Sequence, residues 1–65
     1  MKIKDLPQDA SLAGTRFLYP KDNKPYYWYS QWQRGVWGKE DMASSQILPL
    51  FVDDLKEVLE WEVVK

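Results

Sequence analysis

Tyr26-Tyr27-Trp28-Tyr29-Ser30-Gln31-Trp32-Gln33-Arg34-Gly35-Val36-Trp37 is the stretch whose reading decides the fold. Four consecutive rings crowd the preceding turn of a helix but fit a pleated surface, so residues 26–32 are expected as a strand. Gln33-Arg34-Gly35 closes a hairpin, with glycine supplying the positive φ of a tight turn, and residues 36–39 return as a short strand. If Arg34-Gly35 is the loop, Trp32 lies opposite Trp37 and Gln33 opposite Val36. Alternation then places Trp28, Trp32 and Trp37 on one face, the expected core. Tyr27, Tyr29, Gln31 and Gln33 point the other way.

Working upstream, Pro20-Lys21-Asp22-Asn23-Lys24-Pro25 is a turn. Two prolines fix φ and cannot donate to a ladder, and Asp-Asn tolerates left-handed geometry. Before it, Thr15-Arg16-Phe17-Leu18-Tyr19 favours a strand. Residues 1–13, including the polar Gln8-Asp9-Ala10-Ser11, form an N-terminal arm or loop tied down through Ile3 and Leu6. Downstream, residues 40–46 are a polar connection. Leu48, Phe51, Val52, Leu55, Val58 and Leu59 then recur at helical spacing opposite Asp53, Asp54, Lys56, Glu57 and Glu60. This predicts an amphipathic helix ending at Glu60 and starting at Leu50 or at Asp53. Asp53 is the better N-cap, and Pro49 biases Leu48 toward extended geometry, so residues 46–48 are open to being a strand. Trp61-Glu62-Val63-Val64 alternates again as a final strand.

The expected fold class is α+β: a small antiparallel β-meander with one C-terminal amphipathic helix and a short final strand. The alternative is an SH3-like small β-barrel whose last strand follows a short helical turn. Residues 1–65 make one domain, divided into the arm (1–13), a three-stranded meander (14–39), and the helix with final strand (47–65).

A chain of 65 residues has little surface to bury, and small domains are usually reinforced by disulfides, metal or oligomerisation. Cysteine and histidine are both absent, which removes disulfides and the common zinc ligands. Four Trp, four Tyr and two Phe are left to fill the core. No apolar run is long enough for a membrane span, and no apolar stretch follows the basic start as a signal peptide requires. The missing cysteine suits a cytoplasmic setting.

Without His or Cys, the usual general base and the most reactive nucleophile are missing, and the three glycines are too scattered for a phosphate loop. Glu40-Asp41 and Asp53-Asp54 are sequence neighbours and so point in different directions. The chain is therefore expected to be non-enzymatic, with no catalytic, cofactor or metal residues. Two surfaces are candidates for a partner. The first is Tyr27, Tyr29, Gln31, Gln33 and Arg34, because Tyr offers large contact area at little entropic cost. The second is the acidic face of Asp53, Asp54, Glu57 and Glu60, suited to a basic protein surface. Charge divides the same way: residues 1–39 carry +4 and residues 40–65 carry −5. A protein partner is the leading expectation. A nucleic acid stacked on an aromatic and basic sheet face is the alternative, and self-association through an unpaired meander edge is a third.

The run Tyr29-Ser30-Gln31-Trp32-Gln33-Arg34-Gly35-Val36-Trp37, with Ile47-Leu48-Pro49-Leu50-Phe51-Val52-Asp53-Asp54-Leu55-Lys56-Glu57-Val58-Leu59-Glu60-Trp61, resembles short bacteriophage and prophage accessory proteins. The resemblance covers about half the chain and brings no activity or binding residues with it. It implies a phage accessory protein that acts inside a bacterial cell.

Overall fold

Both hairpins form, and the strands pair in sequence order into one four-stranded antiparallel sheet. The computed structural model describes residues 1–7 and 11–64; Gln8-Asp9-Ala10 of the expected arm lie outside them. The strands are β1 (Arg16–Tyr19), β2 (Lys24–Trp32), β3 (Gly35–Lys39) and β4 (Leu48–Phe51). The β1–β2 turn is shorter than expected, since Lys24 and Pro25 already pair with Tyr19 and Leu18. Asn23 takes the left-handed conformation (φ 56°), its N–H donates to the Tyr19 carbonyl at 2.8 Å, and the Asp22 carboxylate accepts from the Lys24 N–H.

The β2–β3 hairpin differs from expectation by one residue. Gln33-Arg34 is the loop, so Trp32 pairs with Gly35, Gln31 with Val36 and Ser30 with Trp37. Gly35 is therefore a strand residue. Its φ is +154°, and a Cβ there would sit 2.0 Å from the Leu50 carbonyl oxygen of β4, so only glycine lets the two backbones approach.

A bulge then changes the phase of β2. Trp28 pairs with Gly38 but Ser30 with Trp37, which leaves Tyr29 as the extra residue. Before the bulge the even positions Tyr26 and Trp28 point inward; beyond it Ser30 and Trp32 point outward, and Gln31 shares the inward face with its partner Val36. The expected Trp28/Trp32/Trp37 core is corrected on this ground. Trp28 is core, whereas Trp32 and Trp37 lie on the outer face.

The core is Ile3, Phe17, Tyr19, Tyr26, Trp28, Val36, Leu50, Val58 and Trp61. Phe17 is its hub: it stacks on Trp61 at 5.3 Å between ring centroids and meets Trp28 edge-on at 5.8 Å. Such pairs add about 0.5–1.5 kcal/mol each beyond the area they bury.

The expected amphipathic α-helix is also corrected. Leu50 and Phe51 belong to β4, and the helical segment is a 3₁₀ helix, Leu55–Glu60, capped by Asp54, which accepts from the Lys56 N–H at 3.0 Å. Pro49 holds Leu48 extended, so the apolar run continues the sheet. The segment must also cover the distance from β4 back to β1. A 3₁₀ helix rises about 2.0 Å per residue against about 1.5 Å for an α-helix, so six residues reach further. The architecture is mostly β.

The last segment pairs with the meander, as expected, at the free edge of β1, but through isolated bridges and not as the expected final strand. Val63 bridges Phe17, the Leu18 N–H donates to the Glu62 carbonyl at 2.9 Å, and the Val64 N–H donates to the Arg16 carbonyl at 2.8 Å. Its other side takes the N-terminus: Lys2 bridges Glu62, and the Ile3 N–H donates to the Trp61 carbonyl at 3.0 Å. The Tyr19 hydroxyl of β1 donates to the Phe51 carbonyl of β4 at 2.6 Å, which rolls the two outermost strands toward each other.

Candidate functional site

Pairing aligns the outer face in three cross-strand rows. Arg16, Tyr27 and Lys39 form the first; Ser30, Trp37 and Pro49 the second; Trp32, Gly35 and Phe51 the third. With only a hydrogen at Gly35, Trp32 leans over to stack on Trp37 (centroids 4.4 Å apart, planes 23° apart), and Phe51 meets Trp32 edge-on at 5.7 Å. At the other end Arg16 lies 5.7 Å from the centre of the Tyr27 ring, and the Lys39 ammonium 5.5 Å from that of Tyr29. Contacts of this kind are worth roughly 0.5–1 kcal/mol at exposed sites and hold the cations flat on the sheet. Tyr29 is 51% exposed and Phe51 48%.

Of the residues expected to meet a partner, Tyr27 and Tyr29 lie on this face, Tyr29 through the bulge. Gln33 and Arg34 are the exposed hairpin loop beside Trp32. Gln31 does not join them: it is exposed but turned to the inward side, where it borders a hollow of about 230 Å³ with Ile3, Leu12, Trp28 and Val58. Arg16, Trp32, Trp37, Lys39 and Phe51 are the members that sequence reasoning missed. Alternation places the two tryptophans in the core, and helical spacing takes Phe51 into the apolar period of the C-terminal segment. Trp32 and Trp37 were read as sharing a face, which holds, but nothing in the sequence marks that face as the outer one.

The acidic set is dispersed in role. Asp54 is the cap already described, and Asp53, with a side chain 89% exposed, lies 4.0 Å from Lys21. Glu60 accepts from the ammonium groups of Lys2 at 2.9 Å and Lys4 at 3.2 Å, and these hydrogen bonds and charges hold its carboxyl below the usual range. Glu57 and Glu60, three apart on a 3₁₀ helix, eclipse one another. With Glu62 they edge a groove of about 350 Å³ floored by Leu18, Pro20 and Trp61. Lys2 and Lys4 on Glu60, and the Met1 amino group 3.5 Å from Glu62, offset most of its charge.

Two inner tyrosines titrate high. Burial first, then the hydrogen bond its hydroxyl gives to Asp22, pushes Tyr26 up to about 12. Burial and the charges of Asp22 and Asp53 raise Tyr19. Both hydroxyls are tied into the fold. Among the described residues no group of three or more His, Cys, Asp or Glu could hold a metal ion, and no helix is long and apolar enough to cross a membrane.

What the arrangement offers is an open aromatic and cationic plane. No protein-family model, curated protein or solved structure matches this chain.

Proposed function

We infer that the chain is a non-enzymatic protein-binding accessory module, and that the outer face of its sheet is the binding surface. One observation carries this: Trp32, Trp37 and Phe51, with Tyr27 and Tyr29, gather on the face opposite the closed core. Rings fixed by packing lose little entropy on binding, which is why Trp and Tyr dominate interface hot spots. The resemblance to phage and prophage accessory proteins supplies the setting, a bacterial cytoplasm. On the same reading the rolled sheet is an SH3-like small barrel, supported by the return of the last segment to β1 and by the Tyr19–Phe51 bond.

Self-association through the meander edge is the weaker reading. The Val52 N–H donates to the Arg34 carbonyl, so alternation turns the N–H and C=O of Phe51 and the position of Pro49 to the open edge of β4. Proline has no N–H to give, and the Phe51 carbonyl is taken by Tyr19. An added strand would find one donor there.

The test is affinity capture from bacterial lysate with the wild type beside Tyr29→Ala/Phe51→Ala. Both residues are about half exposed, so the variant should keep its unfolding midpoint within a few degrees while losing the wild-type partner. A folded double variant that retains the same partner refutes the assignment of this face.

A further inference from the structure

The outward positions of the four strands hold Arg16 and Lys39 and no carboxylate, and Arg34 stands exposed in the adjoining loop. This is uneven for a chain of net charge −1. Of the acids, Asp22 bonds the Tyr26 hydroxyl, Asp54 caps its helix and Glu60 lies between Lys2 and Lys4, while Glu62, paired beside Leu18 at the β1 margin of the face, has the Met1 amino group 3.5 Å away. Within the strands the face is also graded along its length, and Arg34 in the hairpin loop is the cation at the ring end. The ring end (Trp32, Phe51) is two rows from the cationic end (Arg16, Lys39). At about 3.3 Å per residue, two rows are about 13 Å, and across the sheet Arg16 and Lys39 stand about 10 Å apart at their backbones.

We propose that the partner docked on this face is an extended acidic polypeptide segment. A bulky apolar side chain anchors on Trp32 and Phe51, and carboxylates about four residues away reach Lys39 and Arg16. This rests on the outer face being the protein-binding surface, and it adds the partner's chemistry. Charge complementarity selects it: a basic segment would meet cations, and a purely apolar one would leave Arg16 and Lys39 unused.

A nucleic acid fits less well. Trp32 and Trp37 close on each other at 4.4 Å, leaving no slot between them for a base. Affinity for a polyanion grows with the number of phosphates neutralised, and the face offers three cations, while residues 40–65 carry −5. A second copy of this chain also fits less well, because Asp54 and Glu60 are engaged within their own chain.

The test is selection from a random-peptide display library on the full immobilised chain, followed by anisotropy titration of the selected peptides. The expected result is enrichment of sequences with an aromatic or large aliphatic residue and acids about four positions away. Binding should weaken roughly fivefold or more in Arg16→Gln/Lys39→Gln and fall further in Tyr29→Ala/Phe51→Ala. It should also weaken as salt rises, because the pairs are exposed. Peptides without acidic bias that still need Tyr29 and Phe51 would overturn the acidic partner and leave the binding face standing. Peptides bound equally by Tyr29→Ala/Phe51→Ala would overturn both. So would an absence of binders, tight binding of an oligothymidine by the wild type with no peptide selected, or sedimentation showing a dimer that occludes the face.

Discussion

Replacing Ile3 by alanine should remove about a third or more of the protein's stability, although Ile3 sits in a segment that the sequence presents as an arm. Ile3 is fully buried. It belongs to the same apolar cluster as Phe17, Val58 and Trp61, and its N–H is bonded to the Trp61 carbonyl. Ile→Ala removes three carbons, about 2.4 kcal/mol at roughly 0.8 kcal/mol per methylene. A residual cavity brings the loss to about 3 kcal/mol. At roughly 0.05–0.15 kcal/mol per residue, a chain of 65 residues is stable by about 3–10 kcal/mol. The loss is thus a third or more of the total. In domains of this size it corresponds to a fall in melting temperature of about 12–24 °C. Thermal melts followed by near-ultraviolet circular dichroism and tryptophan fluorescence measure it directly. Leu59→Ala, at a position 40% exposed, is the control and should shift the midpoint far less. A drop below about 4 °C for Ile3→Ala would refute the reasoning, because it would mean the N-terminal turn is not part of the core.

Gly35→Ala should be at least as damaging, since its Cβ would meet the Leu50 carbonyl at 2.0 Å and backbone cannot rotate away; a soluble variant with a wild-type urea midpoint would contradict the β3–β4 approach. Trp28→Ala should cost about 3–5 kcal/mol and Trp32→Ala about 1–2 kcal/mol, because the first empties the core and the second unstacks an outer pair. Equal losses in urea titrations would contradict the bulge at Tyr29. Tyr26 titrates at about 12 in the folded chain against 10.0 without its surroundings, so its contribution is complete below pH 10 and is lost as pH rises through 12. Asp22→Asn should bring the phenolate absorbance transition to lower pH; an unchanged transition would show that Asp22 does not hold the hydroxyl.

The meander, its order and the return of the last segment were legible because each rests on local chemistry. Consecutive rings in β2, proline with Asp-Asn in the first turn, and alternation at Trp61-Glu62-Val63-Val64 each exclude a helix without reference to the rest of the chain. The errors arose where distant backbone decides. Gly35 looks like a turn glycine, but the contact that requires it is with β4, fifteen residues further on. The bulge at Tyr29 carries no Gly or Pro to mark it. The helical signal was present but ambiguous, since Leu55 and Val58 are three apart and satisfy a 3₁₀ helix as well as an α-helix. Leu48 and Phe51 fit the same period although they belong to β4. For the candidate site, Tyr27 and Tyr29 could be read from alternation alone. Trp32, Trp37 and Phe51 could not, because their side of the sheet depends on the bulge and on the extent of β4.

The bulge also changes what the aromatic content requires as an explanation. Ten rings in a chain without cysteine or histidine look like compensation for small size. Five of them, Phe17, Tyr19, Tyr26, Trp28 and Trp61, do form that core. The other five are outside it and need a reason of their own. Part of that reason is structural: Trp32, Trp37 and Phe51 tie β2, β3 and β4 together through cross-strand contacts worth roughly 0.2–1 kcal/mol each. That role does not extend to the solvent-facing half of Phe51 or to Tyr29, whose ring meets the Lys39 ammonium. Soluble domains keep exposed apolar patches small, and a patch kept without benefit to folding points to a partner. If the outer face is the binding surface proposed above, Tyr29 and Phe51 are where stability and binding separate, and substitutions there should leave the fold in place while removing the interaction.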